Sequence, residues 1–286
     1  MVEKVSILNV DILSIRKQKL LERLTEGVVF TPNVDHLVRL QKDRVFYRAY
    51  QQTDWVVCDS VILHRLSKLL RKPIIESIPG SSFFDEFCNF HRNDKDCRIF
   101  ILGGKEGVAK QAQKNINARI GREIVVGAHS PSFQFVKDDG ESREIVEMVR
   151  ASGATVLIVC ATSPKQEVWI ARWRRALEGH TEFTESTERI CSRRVDEGHT
   201  DSTDVTDFLA GAKSGVRLFM ALGATVDFEA GTVGRCPLWL RRLGMEWFWR
   251  FCQEPRRLFR RYFIQDMQFF WYFGKQMMGM YRNPFT

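Results

Sequence analysis

Five short stretches, each following an apolar run, hold most of the residues that could do chemistry. They are Thr31-Pro32-Asn33, Asp59-Ser60, Gly103-Gly104, Thr162-Ser163-Pro164-Lys165-Gln166-Glu167 and Gly223-Ala224-Thr225-Val226-Asp227. A carboxylate at the carboxyl end of a strand, such as Asp59, can act as a general base and take a proton from an attacking hydroxyl. The same position suits an N-cap for a helix starting near Val61, and position alone does not separate the two roles. Gly103-Gly104 ahead of a helix suits close approach of a diphosphate to backbone N–H groups, though two glycines ending a strand also make an ordinary tight turn. Neither GxGxxG nor GxxxxGK[ST] occurs, so the dinucleotide fingerprint and the P-loop are excluded. Asp94-Lys95-Asp96 has the DxD form of a metal-binding motif but precedes a strand, which reads better as a solvated turn. His180 and His199 sit near carboxylates without HxH or HxxxH spacing, so a metal site is not expected.

Residues at strand ends converge only if a parallel sheet lines those ends up. The sequence predicts strands over Val5–Ile12, Val28–Phe30, Asp54–Asp59, Arg98–Leu102, Glu123–Val126, Ala154–Cys160 and Arg217–Leu222. Helices are expected over Ile15–Thr25, Val34 to about Phe46, Val61–Leu70, Gly107–Ala118, Glu141–Ala151 and Pro164–Leu177, with Pro164 in the favoured first turn. Continuous apolar strands alternating with helices predict an α/β fold, a Rossmann-like parallel sheet covered by helices on both faces. In such sheets ligands bind beyond the carboxyl ends of the strands. The stretch 178–213 breaks the alternation with nine acidic residues against four basic and reads as a mobile acidic insertion.

The whole chain of 286 residues carries a net charge of +8. From Arg235 to Thr286 ten Lys/Arg face three Asp/Glu, and fifteen aromatic residues are interleaved with them. Localised positive charge mixed with aromatics fits an anionic membrane surface better than nucleic acid, because the aromatics lie at helical spacing beside leucines. Residues 1–232 therefore read as a catalytic domain and 233–286 as a basic, aromatic helical appendage that associates with membrane. No apolar run approaches the ~20 residues of a membrane span, and the amino terminus lacks a signal-peptide pattern. Seven scattered cysteines suggest reduced thiols in a cytoplasmic setting.

Taken together, these motifs resemble the WecG/TagA/CpsF glycosyltransferases, also called glycosyltransferase family 26. The matching stretches are Thr31 to Leu37, Thr53 to Asp59, Ile99 to Gly104, Pro164 to Glu167 and Leu222 to Gly231. The tail adds Arg235-Cys236-Pro237, Gly244 to Arg250 and Glu254 to Tyr262. The resemblance implies an inverting, metal-independent transferase with no cofactor. It would move N-acetylmannosamine, its uronic acid or a related sugar from a UDP-sugar to a polyprenyl-diphosphate-linked glycan, in making cell-surface polysaccharide at the cytoplasmic membrane face. Asp59 falls at the family's proposed base, Thr31 and Asn33 match its active-site TxN, and Gln166 matches a polar residue near the nucleotide-sugar. Gly103, Gly104, Lys165 and Asp227 are the further substrate-binding candidates at the strand ends.

In the family the basic tail covers the active site and supplies arginines to diphosphates. The candidates here are Arg250, Arg256, Arg257, Arg260 and Arg261; on a helix, Arg250, Arg257 and Arg261 share one face and Arg256 and Arg260 another. The chain departs from the family pattern at Ser60, Pro79, Ser82 and Cys160-Ala161-Thr162-Ser163. Those departures leave open a membrane-bound scaffold that has lost turnover. Exposed tail aromatics also suit a subunit contact, so a homo-oligomer stays open.

Overall fold

The computed structural model describes residues 3–178, 215–234, 236–237, 240, 246–253 and 255–286. The insertion expected at 178–213, with His180 and His199, lies outside the described residues except for Glu178. The main sheet has six parallel strands in the order β4-β3-β8-β7-β5-β6. They are β3 (Gly27–Phe30), β4 (Trp55–Val56), β5 (Ile99–Gly103), β6 (Val125–His129), β7 (Val156–Cys160) and β8 (Leu218–Ala221). Every residue of β3, β5, β7 and β8 is buried, as strands covered on both faces must be. The Rossmann-like α/β architecture expected from the alternation is therefore present.

One face of the sheet carries α2 (Val34–Arg39), α3 (Arg44–Gln51), α7 (Asp139–Ala151) and α8 (Lys165–Leu177). The other carries α1 (Lys17–Arg23), α5 (Gly80–Phe90), α6 (Val108–Ile120) and α9 (Thr225–Ala230). The remaining helix of the core region, α4 (Val61–Ser67), follows β4. The chain leaves β5 over one face and the neighbouring β7 over the other. Their carboxyl ends thus flank a topological switch point, where a crevice opens in folds of this kind.

Three local expectations change. The single strand expected over Val5–Ile12 is an antiparallel hairpin, β1 (Glu3–Ile7) and β2 (Val10–Ser14). Leu8 takes the left-handed conformation, φ 55°, that reverses the chain. The helix expected from Val34 to Phe46 is two, because Asp43 accepts the Val45 and Phe46 N–H groups, both at 3.0 Å, and starts α3 afresh. Helix α5 was not expected, although Phe83, Phe84 and Phe87 sit at helical spacing and are fully buried.

The carboxyl-terminal stretch comprises α10 (Glu246–Gln253), α11 (Pro255–Arg260), a π-helical turn (Arg261–Gln265) and α12 (Met267–Met277). Its last part packs on α2 and joins the core of the first face, with Phe269 and Phe273 buried and stacked at 5.6 Å. Gln276 accepts the Leu8 N–H and donates to the Ser6 carbonyl, each at 2.8 Å. Tyr281 donates to Gln41 at 2.6 Å and Asn283 to Tyr47 at 2.9 Å. Outward on the same stretch point Phe259, Phe263, Ile264, Met267, Phe270 and Trp271, all exposed. No described helix is long and apolar enough to cross a membrane.

Candidate active site at the carboxyl edge of the sheet

The strand order lines up Asp59, Thr31 with Asn33, Gly223, Gln166 and Gly103 with Gly104 along one edge of the sheet. Asp59 does not cap the helix that follows it. Ser60 does, accepting the Leu63 N–H at 3.3 Å. The Asp59 carboxylate instead accepts the Gly80 N–H at 2.9 Å, across the edge at the first residue of α5. Its backbone is pinned as well, by its own N–H to the Pro32 carbonyl at 3.3 Å and by the Ser77 hydroxyl to its carbonyl at 3.2 Å. Gly80 also lies against Thr31, so Asp59, Thr31 and the start of α5 form one cluster.

Thr31 donates to the Ala221 carbonyl at 3.4 Å, bridging β3 to β8. Asn33 caps α2 by accepting the His36 N–H at 3.2 Å. Below it the His36 ring meets the Tyr50 hydroxyl at 2.8 Å. Burial, ahead of the neighbouring charges, drops the His36 pKa to about 3, so the ring is neutral at physiological pH. Burial also raises the Tyr50 phenol well above its ordinary value, and the Glu167 and Asp59 carboxylates push the same way.

Gln166 is buried, and its side-chain oxygen accepts both the Ala161 N–H at 3.2 Å and the Gly223 N–H at 3.0 Å. One carboxamide thus ties the turn after β7 to the turn after β8. Beside it Glu167 is fully buried, and burial raises its pKa to about 7 against the lowering by Gln166. Lys165 turns the other way, donating to the Phe133 carbonyl at 2.7 Å with its ammonium over the Phe133 ring. Desolvation and the nearby Lys137 lower its pKa.

At the switch point, Gly103 has φ +135°, and a Cβ there would lie 2.0 Å from the Cys160 carbonyl oxygen. Backbone-on-backbone packing of β5 against β7 is therefore a sufficient reason for glycine at 103. Gly104 donates its N–H to the same carbonyl at 3.2 Å. Asp227, on α9, is half-buried with a raised pKa, set by desolvation and countered by Lys105 just beyond Gly104.

The tail arginines separate. Arg256 and Arg260 are exposed, and the side chains of Arg250 and Arg257 lie outside the described residues. Arg261 reaches the buried Asp35 carboxylate at 3.3 Å, where Arg39 already binds at 2.9 Å. Asp266 sits beside this group, its pKa raised to about 6 by burial and lowered in part by Arg261. Arg261 thus links the tail to α2, the helix that Asn33 caps. Asp94 in the DxD stretch accepts from the Asp96 N–H at 3.0 Å and pairs with His91 at 2.9 Å, in a turn whose carbonyls Arg122 also binds. Among the described residues no three His, Cys, Asp or Glu side chains come together as metal ligands.

A sequence profile of the glycosyl transferase WecG/TagA/CpsF family matches residues 5–184 and 208–283. The chain belongs to that family. As a WecG/TagA/CpsF glycosyltransferase it acts on a sugar donor and an acceptor, and the unmatched residues 185–207 fall inside the acidic insertion. Sequence reasoning placed this transferase's edge residues but gave no part to His36, Tyr50, Glu167 or Gly80. The available signal for the first three was weak: ionisable or hydroxyl residues on helix faces whose neighbours are apolar.

Proposed function

We propose that the protein is an inverting glycosyltransferase that moves a sugar from a UDP-sugar to a polyprenyl-diphosphate-linked glycan. N-acetylmannosamine, its uronic acid or a related hexose is the sugar transferred. The observation that carries this reading is Asp59: its carboxylate stands at the carboxyl edge beside Thr31, while Ser60 does the capping. Asp59 takes the proton from the acceptor hydroxyl as its oxygen attacks the anomeric carbon. The bond from that carbon to the diphosphate breaks on the opposite side, and UDP leaves with the extra negative charge. Thr31 and Asn33 orient the sugar beside Asp59. From Gly103 to Asp59 the edge spans four inter-strand steps, about 19 Å, room for an extended nucleotide-sugar whose diphosphate end faces the switch point.

The departing charge is met without metal by backbone N–H groups and by cations. Lys165 would have to leave the Phe133 carbonyl to serve as one of these cations, and the exposed Arg256 and Arg260 of the tail are the others proposed. The outward aromatics of the π-helical turn and α12, set beside these arginines, suit peripheral binding to an anionic membrane at its cytoplasmic face, where a lipid-linked acceptor resides. The test is a screen of UDP-sugars scored by UDP release, with polyprenyl-diphosphate-linked acceptor in anionic vesicles. Release that requires both acceptor and Asp59 supports the reading. No release from any donor would replace it with a membrane-bound scaffold.

A further inference from the structure

We propose that Glu167 is a positioning residue for the transfer reaction: through Gln166 and His36 it fixes the spacing between the two halves of the edge site. The inference rests on the transferase reading above and deepens it. Gln166 settles its own orientation, because its oxygen is committed to the Ala161 and Gly223 N–H groups. The nitrogen is therefore the end that donates to Glu167 Oε1, at 2.7 Å. On the other side the His36 Nε2 lies 3.9 Å from that same oxygen.

His36 holds Asn33 through its backbone N–H and reaches toward Glu167 with its ring, which Tyr50 keeps in place. Asn33, His36, Glu167, Gln166 and Gly223 thus form a row joining α2, α8 and the ends of β7 and β8, hydrogen-bonded except where the neutral His36 ring stands 3.9 Å from Glu167. All of its side chains below Asn33 are buried, His36 at 5%, Gln166 at 3% and Glu167 at 0% exposure. The groups facing Glu167 are His36 and Arg39 from α2, Tyr50 from α3, and Ser163 and Gln166 from its own turn and helix.

The cost of this arrangement argues for its use. Glu167 Oε1 accepts from Gln166, and the Ser163 hydroxyl in the turn before α8 faces the same carboxyl. Burying a carboxyl is costly even when it is hydrogen-bonded, and a structural role alone would not require one here. Burial and an unusual ionisation range mark such groups as functional candidates. Glu167 sits under the edge and not on it, so its action is on geometry. Displacing reacting groups by about 1 Å can cost about 100-fold in rate, and this row sets the distance from Asn33 to Gly223.

The experiment compares Glu167→Leu and Glu167→Gln with wild type, using UDP release from UDP-N-acetylmannosamine with a polyprenyl-diphosphate-linked acceptor and, separately, calorimetric binding of UDP. Glutamine keeps an oxygen for the Gln166 N–H, and the neutral His36 ring can present either tautomer to its amide. Glu167→Leu leaves the buried Gln166 nitrogen without its acceptor, so the melting temperature should fall modestly, while in protein that still binds UDP kcat falls about 100-fold with little change in KM. Glu167→Gln should recover most of that loss. Wild-type kcat in Glu167→Leu, or a Glu167→Gln variant as slow as Glu167→Leu, would overturn the proposal while leaving the transferase reading intact. A wild-type protein that neither binds UDP nor releases it would overturn the transferase reading, and the proposal with it.

Discussion

Two aromatic residues two positions apart in α12 should behave in opposite ways. Phe269 is 0% exposed and Trp271 is 64% exposed. Removing the Phe269 ring leaves a cavity in the core that the helix shares with β1, α2, α3 and α8. Phe→Ala at such a site costs about 3–5 kcal/mol. Phe273 stacks on Phe269, so the double variant should lose less than the sum of the singles. Set against a stability of about 5–15 kcal/mol for an ordinary domain, Phe269→Ala alone should bring the protein near the edge of unfolding. Urea denaturation followed by circular dichroism reads this as a large drop in midpoint with little change in slope. Trp271→Ala should move the midpoint by no more than about 0.5 kcal/mol, yet weaken sedimentation with anionic vesicles. A Phe269→Ala protein as stable as wild type would refute the packing argument, as would a truncation after Thr232 that unfolds at the wild-type midpoint. Equal vesicle binding by Trp271→Ala would remove that ring from the lipid contact.

Other outcomes follow from the site. Burial raises the Glu167 pKa to about 7 from the ordinary 4.5, so the native state holds its proton more tightly than the unfolded chain. The associated stability is present below about pH 4.5 and is lost as pH rises through about 7. Melting temperatures at pH 5 and pH 8 should therefore show Glu167→Gln gaining on wild type at the higher pH; a constant difference would contradict the shift. Arg261→Ala should cost about 1–3 kcal/mol and raise protease cleavage in the tail, because the buried Asp35 would lose one of its two cations among the described residues; an unchanged cleavage pattern would show that the pair does not hold the tail to α2. Gly103→Ala should cost more than about 4 kcal/mol, read as loss of soluble protein, since its Cβ would overlap the Cys160 carbonyl.

The sheet was legible because its four central strands are continuous apolar runs with polar or glycine ends, and that pattern has few other structural solutions. The edge residues Asp59, Thr31, Asn33 and Gln166 followed, since strand order alone brings them together. Whether Asp59 caps a helix was not legible. Only the structure reveals that Ser60 takes that role and that the Asp59 carboxylate accepts the Gly80 N–H, twenty-one positions on. The hairpin at Leu8 escaped notice because leucine seldom takes the left-handed conformation found there. The tail aromatics posed a different difficulty: an apolar helix face reads alike whether it meets a protein core or lipid, so Phe269 and Trp271 look equivalent in sequence. Glu167 lay within a recognised stretch, but its burial depends on α2 and α3, which are distant in the chain.

Asp59 is proposed as the base for sugar transfer at the carboxyl edge. The most direct measurement of that role is the rate of UDP release by Asp59→Asn, with acceptor in anionic vesicles, alongside UDP binding and melting temperature. Asparagine keeps an oxygen to accept the Gly80 N–H, so fold and UDP affinity should be retained. The rate should fall by about 10²- to 10⁴-fold. An Asp59→Asn protein that turns over at the wild-type rate would contradict the account.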